Sequence, residues 1–221
     1  MTREQYVHQI EDLRGRVIAM ASMVDKAITN AVSALAGRDV RLAEQVVSTD
    51  RAINEQRWRI EEQALLLIAT QAPMAKDLRT IAAAIHIVTD LERMADHAAG
   101  IAKIAIQTAD RAPLKPLVDI PRMAEIARGM LNDAITAYIE DDPVAARAIV
   151  DRDDEVDALY NQIYRELLTF MLADPTTIDQ ATHLLWAAHN LERIADRVTN
   201  ICERVVFAAT GQLEELAVST Y

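Results

Sequence analysis

Asp90 to Ile101 reads DLERMADHAAGI and Asn190 to Ile201 reads NLERIADRVTNI, so Glu92 and Asp96 recur one hundred residues later as Glu192 and Asp196. Residues four apart share a helix face, and each pair therefore points two carboxylates in one direction. Asp153 with Asp157 and Asp50 with Asn54 have the same spacing. The leading residue of every pair interrupts an apolar stripe. Steps of three and four from Ala146 give Ile149, Asp153, Val156, Tyr160, Ile163, Leu167 and Phe170, and from Leu78 they give Ile81, Ile85, Val88, Glu92, Ala95 and Ala99. Asp50 falls likewise among Ala43, Val46, Ile53, Arg57 and Ile60, and Glu192 among Leu185, Ala188 and Ala195. A charge in a core position is costly unless it is paired or coordinated. Converging carboxylates repel, and the remedies are a shared proton, Arg or Lys partners, or a bound cation. Oxygen-rich sets with an occasional imidazole suit iron, manganese or magnesium, and zinc less specifically. His97 and His189 are close enough in sequence to join them. A plainer reading also fits each pair taken alone: solvated acids on a helix face, neutralised by Arg93 and Arg193.

The elements that must position these groups are helices. Aromatic residues are 4% of the chain and glycines number five, while Ala, Leu, Glu, Arg and Ile dominate. Pro73, Pro143 and Pro175 each begin a periodic segment, and Pro113, Pro116 and Pro121 fall together in APLKPLVDIPR, which leaves the long amphipathic runs free of a breaker. The periodicity predicts helices near 3–36, 40–71, 74–109, 120–140, 143–173 and 176–210. Asp39 and Asp142 are the expected N-caps, and Gly37 and Gly211 the expected stops. Further echoes link the halves: NAVSALAGRD at Asn30 with DAITAYIEDD at Asp133, and DRAIN at Asp50 with DDEVD at Asp153. The fold class is therefore all-α, two tandem three-helix bundles related by a pseudo-twofold repeat. The first repeat spans 1–109, a proline-rich linker 110–119, the second repeat 120–212 and a tail 213–221.

Charge and composition exclude several functions. With 34 acidic and 23 basic residues the net charge is −11, which opposes nucleic acid and an anionic membrane surface. Cys202 is the single cysteine, so no internal disulfide forms, and MTREQYVHQIEDL carries charges where a signal peptide needs an apolar run. A cytoplasmic protein is expected. No window approaches the length of a membrane span, and contact with a membrane would run through partners at its inner face. Trp58 and Trp186 read as bundle-packing or interface residues, and Cys202 as an inert core thiol.

Together these features resemble the PhoU family, the phosphate-specific transport system accessory proteins of bacteria. The resemblance covers nearly the whole chain. It rests on two three-helix repeats, L-E-R-x-A-D in both, D-x-x-[IV]-[ND] in both, and N-I-C-E at Asn200 to Glu203. It implies a regulator of phosphate uptake and phosphate-starvation signalling, acting negatively when phosphate is plentiful. The implied partners are the Pst transporter's ATPase subunit and a sensor histidine kinase. It also implies E/D-x-x-x-D metal motifs, which in some members carry multinuclear iron or zinc clusters while others are found without metal. By that resemblance Glu92, Asp96, Glu192 and Asp196 carry the motif, with Asp50, Asp153 and Asp157 as helpers and Asn54, His97 and His189 as further candidates. Manganese is a third candidate metal, and a metal-free protein remains open. Asn54 stands where the second repeat has Asp157, so the two sites are expected to be unequal. A homodimer is expected, since an elongated pair of bundles can share apolar surface with its copy.

Two rivals come from other classes. A ferritin-like di-metal enzyme needs Glu-x-x-His on two helices, and here Ala95 and Ala195 occupy the third position after Glu92 and Glu192. No Gly-rich phosphate loop, Ser-His-Asp order or Cys-His pair offers another chemistry, so no catalysis is expected. The second rival is a metal-free helical scaffold, which differs from the first reading only in what the acids do.

Overall fold

The structure, a computed structural model, describes residues 3–216. Its helices are α1 (Arg3–Gly37), α2 (Val40–Gln71), α3 (Ala75–Thr108), α4 (Asp119–Glu140), α5 (Pro143–Val150), α6 (Asp153–Ala173) and α7 (Ile178–Thr210), with a single 3-10 turn at Pro175–Thr177. No strand occurs among the described residues. Within the expected tail, residues 217–221 lie outside the described residues.

Local chemistry fixes most of the ends. The Asp39 carboxylate accepts the Leu42 amide at 2.9 Å, and that of Asp142 accepts from Val144 and Ala145 at 2.9 and 3.0 Å, so both predicted N-caps satisfy amides that a helix start leaves open. Gly211 adopts φ 80° and its N–H donates to the Phe207 carbonyl, closing α7 as expected. At the first stop the left-handed residue is Arg38, φ 54°, one position beyond Gly37.

The expected fifth helix, 143–173, requires correction. It is interrupted at Asp151 and Arg152, giving α5 and α6. Two causes are visible. Asp153, Asp154 and Glu155 crowd one turn, and a new helix N-terminus there places all three where negative charge is favoured. Arg152 turns away to donate to Asp133 on α4 at 2.6 Å and lies over Gly129, where a Cβ would come within 2.7 Å of Nη2. The sixth helix likewise begins later than 176, at Ile178, after the 3-10 turn.

Helices α1, α2 and α3 pack on one another, α4 packs on α5, α6 and α7, and the most extensive seam in the molecule joins α3 to α7. Both helices are rich in small core residues: Ala83, Ala84, Ala98, Ala102, Ala187, Ala188 and Ala195 are all fully buried. One continuous apolar core runs from Leu13 to Ala208. Trp58 and Trp186 are 60% and 63% exposed, so neither packs the bundle. Cys202 is fully buried and its thiol is pushed up to about 12 by burial, an inert core group. No helix is long and apolar enough to cross a membrane among the described residues.

Candidate functional site

The pairs that interrupt the apolar stripes occupy the inner faces of α2 and α3 in the first repeat and of α6 and α7 in the second. Glu92 and Glu192 are buried, at 8% and 3% exposure, which confirms that carboxylates replace core residues there. Asp50, Asp153, Asp157 and Asp196 are half-buried, whereas Asp96 is exposed.

In the first repeat, Asp50, Glu92 and Asp96 are brought close enough to act on one another. Burial, then the Asp96 charge, raises the pKa of both Asp50 and Glu92. Asn54 donates its amide to Asp50 Oδ2 at 3.3 Å and thereby supports the carboxylate without adding a charge. The excess charge is met across the helix pair by Arg57 on α2, whose Nη1 lies 3.4 Å from Glu92 Oε1 and whose Nε donates to Glu61 at 2.9 Å. Arg93, the base expected beside Glu92, stands farther off, 3.7 Å from its Oε2. The signal for Arg57 was present, since it is the one base on an apolar stripe.

In the second repeat, Asp153, Asp157, Glu192 and Asp196 line one groove of about 1150 Å³. Tyr160 occupies the slot equivalent to Arg57 and brings no positive charge. Glu192 is answered from its own helix, by Arg193 Nε at 3.0 Å and His189 Nδ1 at 3.4 Å, and Arg193 also contacts Asp196 at 2.9 Å. Among the described residues Asp153 has no such base. Burial, followed by the charges of Asp196, Asp157 and Glu192, raises its pKa from 3.8 to about 7. Asp157 and Asp196 are raised as well, chiefly by burial. The His189 imidazole is held below its ordinary value, by burial first and then by the Arg193 charge. Its ring tilts against Tyr160 at 6.1 Å between centroids.

The seam between α3 and α7 separates and aligns the clusters. Asp90 accepts from Asn200 Nδ2 at 3.3 Å and lies 3.5 Å from Arg197 Nη1. At the matching place in the other repeat, Asn190 lies 2.9 Å from His97 Nδ1 through its Oδ1 and donates its amide to the Trp186 carbonyl. Because that amide is engaged as the donor, Oδ1 accepts, and the His97 proton sits on Nδ1. His97 therefore serves the seam. No local pattern signals that these residues pair, because each partner comes from the other repeat.

The donor chemistry of both clusters fits a hard or borderline cation. Among the described residues Asp50 Oδ1 and Asp153 Oδ1 are buried without a hydrogen-bond partner, and every member of the clusters except Asn54 is a carboxylate. The side chains are not gathered round a common point: among the described residues no three His, Cys, Asp or Glu groups are arranged to hold a metal ion.

Comparison with known proteins places this architecture. The family model described as the PhoU domain matches residues 17–105 and 120–205, once per repeat. The phosphate-specific transport system accessory protein PhoU homolog of Caulobacter vibrioides is 40% identical over 212 residues, covering 96% of this chain and 92% of that protein. Its namesake in Aquifex aeolicus is 41% identical over 205 residues and covers 93% of each. Among solved structures, PhoU from Pseudomonas aeruginosa superposes with a TM-score of 0.89 at 33% identity, covering 94% of this chain and 100% of that one. The phosphate transport system regulatory protein PhoU from Streptococcus pneumoniae gives 0.88 at 30% identity, covering 95% and 99%.

Proposed function

Since the chain belongs to the PhoU family, we propose that it is an accessory protein of a phosphate-specific transport system that restrains uptake and starvation signalling when phosphate is plentiful. The observation that carries this reading is family likeness over nearly the full chain in sequence and in fold. The rest is consistent with it: a net charge of −11 and two repeats held on one seam. The function is then a coupling between binding sites. A rigid helical body holds the transporter's ATPase subunit and the sensor kinase together at the inner face of the membrane and favours the signalling-off state of the kinase. Exposed Trp58, Leu65, Leu66, Leu172 and Trp186 offer apolar contact for these partners or for a second copy in a homodimer.

The acidic clusters add a cation to this proposal. Asp153, Asp157, Glu192 and Asp196 would hold it in the second repeat, and Asp50, Glu92 and Asp96 in the first. Bound iron, zinc or manganese would supply positive charge that cancels carboxylate repulsion and stiffens the inner faces. The chain's own residues supply the rest: Arg57 and Arg193 limit the repulsion before loading, and the seam holds α3 and α7 in register.

The test is made in a strain lacking the gene and carrying a phosphate-starvation reporter. The wild-type chain is expected to silence the reporter in high phosphate and to co-purify with the kinase and the ATPase subunit. A reporter that stays on despite normal expression removes the regulatory reading. Elemental analysis of untagged protein, wild type against Glu92→Ala/Asp96→Ala/Glu192→Ala/Asp196→Ala, tests the cation. Stoichiometric metal lost in the variant supports it, and metal-free wild type from metal-replete cells removes it.

A further inference from the structure

The groove of the second repeat has a wall that neither the helices nor the repeat pattern predicts. After Gly211 ends α7, the segment Gln212–Leu216 turns back along the groove without regular structure, and Leu213, Glu214, Glu215 and Leu216 form part of its lining. Two attachments hold it. The Glu214 carboxylate takes three hydrogen bonds from Arg147 on α5, at 3.0, 3.0 and 3.2 Å. The Leu216 amide donates to Glu203 Oε1 on α7 at 3.1 Å, while the Leu216 side chain packs against the core. The segment thus ties α5 to α7 across the groove that holds Asp153, Asp157, Glu192 and Asp196.

The two attachments differ in kind from the helix packing around them. The Arg147 and Glu214 side chains are 39% and 32% exposed, so their pairing is worth little more than a surface ion pair and opens readily. Leu216 contributes one partly buried side chain. The α5 end of the tie is an eight-residue helix that the break at Asp151 and Arg152 separates from α6. Short irregular segments with few buried contacts are the parts of a fold that open first. In the first repeat, α2 runs unbroken through Asp50, and Asp96 stands exposed.

We propose that Gln212–Leu216 is a strap that gates the acidic groove of the second repeat. With the Arg147–Glu214 tie closed, small solutes and cations exchange slowly with the groove; with it open, they exchange freely, and the first cluster is ungated throughout. The identity of the gated ligand as a divalent cation rests on the reading of the clusters given above, whereas the gating itself does not.

Two readouts keep these separate. In a Cys202→Ser background, Thr199→Cys places a thiol at a buried position, 4% exposed, on the groove lining. Its alkylation by iodoacetamide reports opening without any metal. Glu214→Ala should speed alkylation about threefold or more, in line with loss of a part-exposed ion pair. Truncation after Gly211 should speed it further, because the Leu216 contact is lost as well. The charge swap Arg147→Glu with Glu214→Arg should return the rate toward wild type, which general loosening of the fold would not do. Release of Mn²⁺ into excess chelator, followed by its paramagnetic resonance signal, is the second readout. A slow phase abolished by Asp153→Asn/Asp157→Asn should accelerate in Glu214→Ala, while the fast phase stays unchanged. Alkylation and slow-phase release both insensitive to Glu214→Ala and to truncation would overturn the strap while leaving the cation reading intact. Alkylation that responds with no Mn²⁺ bound to any variant would remove the cation reading and sustain the strap.

Discussion

At the scale of the residue, two substitutions between repeats distinguish the clusters: Asp157 stands for Asn54, and Tyr160 for Arg57. Burial and then the Asp96 charge raise Asp50, which Lys103 relieves, whereas burial and then the charges of Asp196, Asp157 and Glu192 raise Asp153. Its folded pKa of about 7 lies above the ordinary 3.8, so the folded chain binds this proton more tightly than the unfolded chain does. The stability it contributes is present in full below about pH 4 and is lost as pH rises through 7. Asp153→Asn should therefore stabilise metal-free protein more at pH 8 than at pH 5. With solvent screening of a half-buried group, the extra gain is on the order of 1–2 kcal/mol. Urea unfolding in chelator at the two pH values checks this, and an equal effect at both would mean that Asp153 titrates normally.

Among the elements, caps and glycines carry the sharpest expectations. Asp142 accepts two amides at the start of α5, and Asp142→Ala should cost about 1 kcal/mol in chemical denaturation. Gly15 and Gly100 both lie inside helices, where alanine is favoured by about 1 kcal/mol. At Gly15 a Cβ meets nothing within 4 Å, and Gly15→Ala should realise that gain. At Gly100 the Cβ would press on Asn190 Oδ1 at 3.1 Å, an atom already held at the seam by His97. Gly100→Ala should therefore fall short of Gly15→Ala by about 1 kcal/mol, and Asn190→Ala should remove the shortfall. Thermal melts of the single and double variants decide the matter. The break between α5 and α6 is an element-scale feature that the apolar pattern hides, because the stripe from Ala146 to Phe170 keeps its phase through Asp153. What breaks the helix is Arg152 seeking Asp133 and the space over Gly129, both on α4.

For the whole molecule, the extent of the α3–α7 seam argues that neither repeat unfolds by itself. The Asp90 contacts with Arg197 and Asn200 and the Asn190 contact with His97 would all be lost if either half melted. The two tryptophans give one reporter per repeat, Trp58 on α2 and Trp186 on α7. Trp58→Phe and Trp186→Phe, each leaving a single fluorophore, should show the same urea midpoint, coincident with the loss of helical circular dichroism. Separate midpoints would mean that the seam is too weak to couple the repeats.

The sequence by itself determined the helical class, the duplicated pattern, the N-caps at Asp39 and Asp142, and the apolar-stripe positions of Glu92 and Glu192. These follow from periodicity, capping chemistry and spacing, which are local and need no knowledge of neighbours. Only the tertiary structure decided which base answers which acid, that His97 pairs with Asn190, that Trp58 and Trp186 face outward, and that Glu214 ties down to Arg147. Each of those depends on contacts between residues far apart in the chain, and electrostatic cost depends on burial and on the distance to every other charge. A repeated phrase can place the same acids twice, but the surroundings that make Asp153 unlike Asp50 are set by which helix packs opposite.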